Sequence, residues 1–118
     1  MNRIEKRKKV YNKCNGHCAY CGKSIEYKDM QLDHIRPKCQ GGTDDINNLN
    51  PTCRRCDHYK RSMCLSTFRA MLKTLHLRIR NNYICKVGED FGIIKVKPWD
   101  GVFYFEKHKE RVDKPVGM

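Results

Sequence analysis

Apolar positions along the chain change their spacing several times, and each change marks an element. Over residues 65–80 they recur at helical intervals. Phe68, Leu72, Leu75 and Ile79 share one face, and Arg69, Lys73, His76 and Arg80 share another. The pattern predicts an amphipathic helix, assigned to residues 63–80. Residues 2–13 are rich in Lys and Arg with few breakers, which predicts a basic helix ended by Asn15-Gly16. From Met30 to Ile35 the spacing is short, with Leu32 and Ile35 flanking two polar residues, as in a strand closed by Pro37. Leu49 to Thr52 reads as the returning strand, with Pro51 placing it at an edge. A short helix should follow Cys53 and run through Arg61. Ile93, Ile94 and Val96, then Pro98-Trp99-Asp100-Gly101, then Val102 to Phe105 predict a C-terminal β-hairpin.

These elements fit one domain in 118 residues. The expected divisions are a basic N-terminal helix over 1–13, a metal-stapled core over 14–62, the helix over 63–80, and the hairpin with its tail over 81–118. The fold class is α+β. So short a chain buries a modest core and gains from a staple.

Eight cysteines supply candidates for that staple. Cys18 and Cys21 form one Cys-x-x-Cys pair, and Cys53 and Cys56 form another. Two such pairs suit one tetrahedral zinc. The intervening 31 residues exceed the roughly 15–20 of a simple zinc ribbon, so something is inserted. Cys14 and His17 lie close enough in sequence to replace a ligand. Cys39, Cys64 and Cys85 have no pairing logic.

The insert carries Asp33-His34, Gly41-Gly42 and Asn48-Leu49. Hydrolysis of a phosphodiester needs a base for water and an anchor for a hard cation. A neutral His34 can take the proton, and Asp33 can hold Mg or a similar ion through oxygen. The dipeptide alone is a weak signal, because a solvated or packed pair is common.

Charge adds a partner. The formal net charge is +12. Residues 1–13 hold six basic residues against one acidic, and residues 53–80 hold eight against one. Such blocks suit a phosphate backbone, although solvated helix faces look the same and anionic membranes compete. No apolar run approaches the roughly 20 residues of a membrane span, and no apolar segment follows the basic N-terminus. An intracellular, cytoplasmic protein of a reducing compartment is therefore expected.

The motifs occur in a definite order: Cys18-Ala-Tyr-Cys21-Gly22, Asp33-His34-Ile35-Arg36-Pro37, Gly41-Gly42-Thr43, Asn48-Leu49, and Cys53-Arg-Arg-Cys56-Asp57 with Lys60. Over residues 14–62 this order resembles the HNH endonuclease family in its zinc-stapled ββα-metal form. The resemblance implies a metal-dependent DNA endonuclease with His34 as general base. It implies Asn48 as the brace that orients the base, and a structural zinc on Cys18, Cys21, Cys53 and Cys56. A catalytic divalent ion, Mg or Mn, would sit on Asp33 and Asp57. The family commonly has Asn or His where this chain has Asp57, with His58 beside it. Asp57 is preferred because it occupies the matching position, and His58 stays open. Lys60 and Arg61 are the expected contacts to the DNA backbone.

DNA is thus the expected partner, together with a homodimer or a second protein that supplies specificity. A compact protein of this kind suits a phage or mobile element. The rival expectation is a zinc-stabilised nucleic-acid-binding module without catalysis, which explains the cysteines and charge but not Asp33-His34. A structural docking protein explains only the hairpin.

Overall fold

A computed structural model describes residues 1–107. Its elements are helix α1 (Arg3–Lys13), strand β1 (Gln31–His34), strand β2 (Leu49–Thr52), and helices α2 (Arg54–Lys60), α3 (Leu65–Lys73), α4 (Leu75–Arg80) and α5 (Tyr83–Asp90). The described residues divide into two compact units, one of residues 1–64 with residues 103–107, the other of residues 65–102.

In the first unit α1 starts where the sequence offers a cap. The Asn2 side chain accepts from the Glu5 amide at 2.8 Å, Glu5 sits in the positive first turn and Lys13 in the negative last one. The helix buries Val10 against Met30 and Leu49, with Tyr11 and Ile25 packed around them. Each such side chain contributes about 2 kcal/mol by leaving water. Two of the helix's cations are structural. Arg7 donates to the carbonyls of Tyr27 and Met30 at 2.9 and 2.8 Å. Lys13 donates to the carbonyls of Ile46 and Leu49. Its burial pulls that ammonium below the usual lysine range.

Strands β1 and β2 pair antiparallel, with Asp33 opposite Asn50 and His34 opposite Leu49. Pro51 is tolerated because a two-stranded sheet has only edge strands. Its carbonyl accepts from the Ala19 amide at 2.8 Å, which ties the first cysteine turn to the sheet.

The C-terminal hairpin is not formed. Residues 93–100 carry no strand, and residues 104–107 begin a helical turn. The amides of Tyr104 and Phe105 donate instead to the carbonyls of Tyr20 and Ala19, at 3.2 and 2.8 Å. The Tyr20 ring meets Phe103 and Phe105 edge-on, with centroids 5.2 and 5.9 Å away. The apolar run expected to form a strand is thus used to cover the cysteine turn. At the expected connecting turn Asp100 accepts from the Val102 amide at 3.0 Å, but the contact joins no strands. Residues 108–118 of the expected tail lie outside the described residues.

In the second unit the helix expected over 63–80 is two helices. Thr74 interrupts it: its hydroxyl donates to the Ala70 and Met71 carbonyls, and Arg78 reaches back to the Met71 carbonyl at 2.9 Å. Side chains that take over backbone acceptors in this way end a helix early. The break leaves Leu77 and Ile79 exposed, so the apolar stripe is not one continuous core face. Helix α5 is an addition to the expected elements. Asn82 caps it by accepting from the Ile84 amide at 3.0 Å, and that Asn was the available sequence signal.

Candidate active site and metal centre

The metal centre is built from a turn and a helix start. The Cys18 amide donates to the Lys23 carbonyl at 2.8 Å, and Gly22 closes the turn at φ +83. A Cβ on Gly22 would also fall 2.8 Å from the Tyr104 ring, so glycine is needed twice over. Across from this turn, Cys53 is the N-cap of α2 and Cys56 lies in its first turn, with the Cys56 amide 3.4 Å from the Cys53 sulfur.

The four sulfurs lie within 4.8 Å of one another, Cys21 and Cys53 being 3.9 Å apart. A tetrahedron with metal–sulfur bonds of about 2.3 Å has edges of about 3.8 Å, so the set fits a zinc-sized ion. The thiols themselves compete for one negative charge. Hydrogen bonds from Cys18 and Cys56 hold Cys21 down at about 3, while hydrogen bonds with Cys18 and Cys21, then burial, push Cys56 far up. A divalent cation removes that conflict by charge balance. Cys14 and His17 are outside the cluster. Burial raises Cys14 to about 11, and His17 binds the Cys14 and Asn15 carbonyls.

Alternation along β1 turns Asp33 inward and His34 outward. Asp33 is 4% exposed. The Tyr20 hydroxyl donates to its Oδ2 at 2.5 Å. Lys60 Nζ lies 3.3 Å from Oδ1 and 3.1 Å from Oδ2, and donates to the His34 carbonyl at 3.1 Å. Asn50 donates to the Tyr20 oxygen at 3.4 Å. Burial raises the Asp33 carboxyl above its usual range, and Tyr20 and Lys60 oppose the rise. The Tyr20 hydroxyl is itself pushed far up, first by burial and then by Asp33, and stays protonated.

Lys60 is therefore no surface cation. It is completely buried, and its ammonium is spent on Asp33 and on the backbone beside His34. Arg61, one residue on, is exposed and donates to the His58 carbonyl at 3.3 Å. Asp57 is half-buried and near enough to disfavour the charge on Asp33. It lines a depression of about 620 Å³ with Lys23, Gln31, Arg54, Arg55 and His58.

His34 reaches into a loop to which the sequence motifs assign no partner. Its Nε2 lies 2.8 Å from Asp44 Oδ1, and Lys38 holds Oδ2 of the same carboxylate at 2.9 Å. The His34 and Lys38 contacts hold Asp44 down at about 2. Asn48 clamps the loop by three hydrogen bonds. Its Oδ1 accepts from the Arg36 amide at 2.9 Å, and its Nδ2 donates to the carbonyls of Arg36 and Thr43 at 3.0 and 2.8 Å. Gly42 allows the return, because a Cβ there would fall 1.8 Å from the Arg36 carbonyl oxygen. The acid two residues after the glycines was the signal for Asp44.

Residues 18–73 match the HNH endonuclease family. The match covers a little under half of the chain, and the segment is similar to HNH endonuclease domains. The CRISPR-associated endonuclease Cas9 of Corynebacterium diphtheriae is 43% identical over 47 residues, 39% of this chain and 4% of that protein. The Cas9 of Actinomyces naeslundii is 43% identical over 44 residues, 36% of this chain and 4% of that protein. The crystal structure of the Type II-C Cas9 enzyme from Actinomyces naeslundii is similar in fold, with a TM-score of 0.52 and 27% identity. That likeness covers 64% of this chain and 10% of that one. The chain thus spans about 4% of the length of the curated relatives it matches. The first unit is a mixed fold of helices and a small antiparallel sheet, as the motif order implied, and its four clustered cysteines fit a metal. No helix among the described residues is long and apolar enough to cross a membrane.

Proposed function

We propose that this chain is a metal-dependent endonuclease that hydrolyses DNA phosphodiester bonds, with His34 as general base. The observation that carries the reading is the placement of His34. Its side chain is 29% exposed, at the end of a strand whose preceding residue, Asp33, is locked in the interior. The ring can meet solvent and substrate, while its backbone carbonyl is pinned by Lys60.

In this reading His34 takes a proton from water as the water attacks phosphorus. Asp33 and Asp57 supply two hard oxygen donors for Mg or Mn, which would stabilise charge on the phosphate and the leaving oxygen. Asn48 keeps the loop around the base in place through its three hydrogen bonds. Cys18, Cys21, Cys53 and Cys56 would hold a zinc ion, which would tie the start of α2, and so Asp57 and Lys60, to the cysteine turn. Arg61, Arg54 and Arg55, all exposed, are the cations suited to the DNA backbone. One such site cuts one strand, so a double-strand break requires a second copy or a partner protein.

One observation favours the rival reading of a zinc-stapled nucleic-acid-binding module. The Asp33 carboxylate is already bonded to Tyr20 and Lys60, and an ion there must share it with a buried ammonium. A supercoiled-plasmid assay separates the two. Wild type and His34→Ala are incubated side by side with Mg, with Mn and with EDTA. Nicking by wild type only, abolished by EDTA, is expected. A gel shift by both proteins with no cutting by either gives the case to the binding module.

A further inference from the structure

Resting on the nuclease reading, we propose that Asp44 is a positioning residue for His34. It fixes the ring's orientation and tautomer so that Nδ1 is the nitrogen left to accept the proton of water. The argument begins with the contact itself. A carboxylate oxygen only accepts hydrogen bonds, and Asp44 Oδ1 sits 2.8 Å from Nε2. The neutral ring must then carry its proton on Nε2, which leaves the Nδ1 lone pair free. Among the described residues no group is bonded to Nδ1.

An exposed ion pair by itself says little, since many such pairs contribute nothing measurable. Here the carboxylate is held in place from three directions. Lys38 binds its other oxygen at 2.9 Å. Asn48 clamps the backbone one residue before it, at the Thr43 carbonyl. Gly42 is packed so closely on the Arg36 carbonyl that the loop has one path back toward β1. These contacts hold the acceptor in position before any substrate arrives, and that is what orients a base.

The geometry also distinguishes Asp44 from its neighbour. Asp45 is the same residue type one position on, but its backbone is what the structure uses, its amide donating to the Thr43 hydroxyl at 3.3 Å. Asp45 therefore serves as the internal control.

The test compares wild type, Asp44→Ala, Asp44→Asn, Asp45→Ala and His34→Ala. Single-turnover plasmid cleavage is measured with Mg and Mn, and DNA affinity by gel shift. Ring ¹⁵N shifts of His34 are recorded at mildly alkaline pH. Asp44→Ala should lower the cleavage rate by about tenfold, less than loss of the base itself, with DNA affinity undiminished. Its ring signals should move from the pure Nε2–H form toward a tautomer mixture. Asp44→Asn keeps an acceptor oxygen and should recover part of both, and Asp45→Ala should match wild type. Unchanged ring signals in Asp44→Ala overturn the proposal whatever the rate does, and so does an altered ring with a wild-type cleavage rate. If wild type leaves the plasmid intact, the nuclease reading fails on its own, and the ring spectra still decide whether Asp44 sets the tautomer.

Discussion

Lys60 Nζ lies 3.1 Å from Asp33 Oδ2, and both side chains are sealed from solvent, at 0% and 4% exposure. The pair joins α2 to β1 and turns two residues of opposite charge into part of the core. Its net attraction matters less than the penalty for losing one partner. A buried charge left alone is costly because its desolvation is then uncompensated.

Lys60→Met should therefore destabilise the protein by about 3–5 kcal/mol, since it strands Asp33. Asp33→Asn should be milder, because the amide can still accept from Tyr20. Urea unfolding monitored by circular dichroism checks both. A Lys60→Met protein of wild-type stability would show that the buried pair is not what holds α2 on the sheet.

Removal of the metal should loosen the first unit. Structural zinc in small domains contributes on the order of 10 kcal/mol to folding. Cys53→Ser and treatment with a strong chelator should each collapse thermal stability and release stoichiometric zinc, read by a colorimetric indicator. Cys39→Ser, outside the cluster and exposed, should retain wild-type zinc content and melting.

Gly42→Ala tests the loop. The added methyl cannot coexist with the Arg36 carbonyl at 1.8 Å, so the loop must open and carry Asp44 away from His34. We expect cleavage to fall at least as far as in Asp44→Ala, with zinc content unchanged. Activity assay and metal analysis on the same preparation give the answer.

The pairing of Asp44 has a signature in pH. Its folded value is about 2, below the ordinary 3.8, with His34 the largest cause and Lys38 the next. A carboxyl depressed by folding stabilises above its unfolded value and loses that contribution as pH falls through the folded one. The contact should thus be intact above about pH 4 and lost toward about pH 2. A side-chain carboxyl ¹³C titration should find the low midpoint in wild type and a higher one in His34→Ala.

Leu49→Ala should cost about 2–5 kcal/mol, because Leu49 is buried against Val10 and Met30. Denaturant melts compare it with exposed Leu77→Ala, which should change little.

The sequence alone determined what depends on spacing and local chemistry. Two Cys-x-x-Cys pairs located the metal centre, since each pair brings its sulfurs together through its own turn. Turn residues, apolar spacing and the cysteine motifs located α1, β1, β2 and α2, and the motif order pointed to the HNH fold. Tertiary structure decided what depends on distant partners. The β-branched and aromatic run 102–105 looked like a strand, yet those residues had more to gain by covering Tyr20 and the cysteine turn. Lys60 and Arg61 are neighbours in a basic run, but helix α2 turns one inward onto Asp33 and the other outward. Asp44 gains its meaning only because Gly42 folds the loop back onto His34. Charge and period are properties of a segment, whereas burial and the partner of a charge depend on what the rest of the chain places beside it.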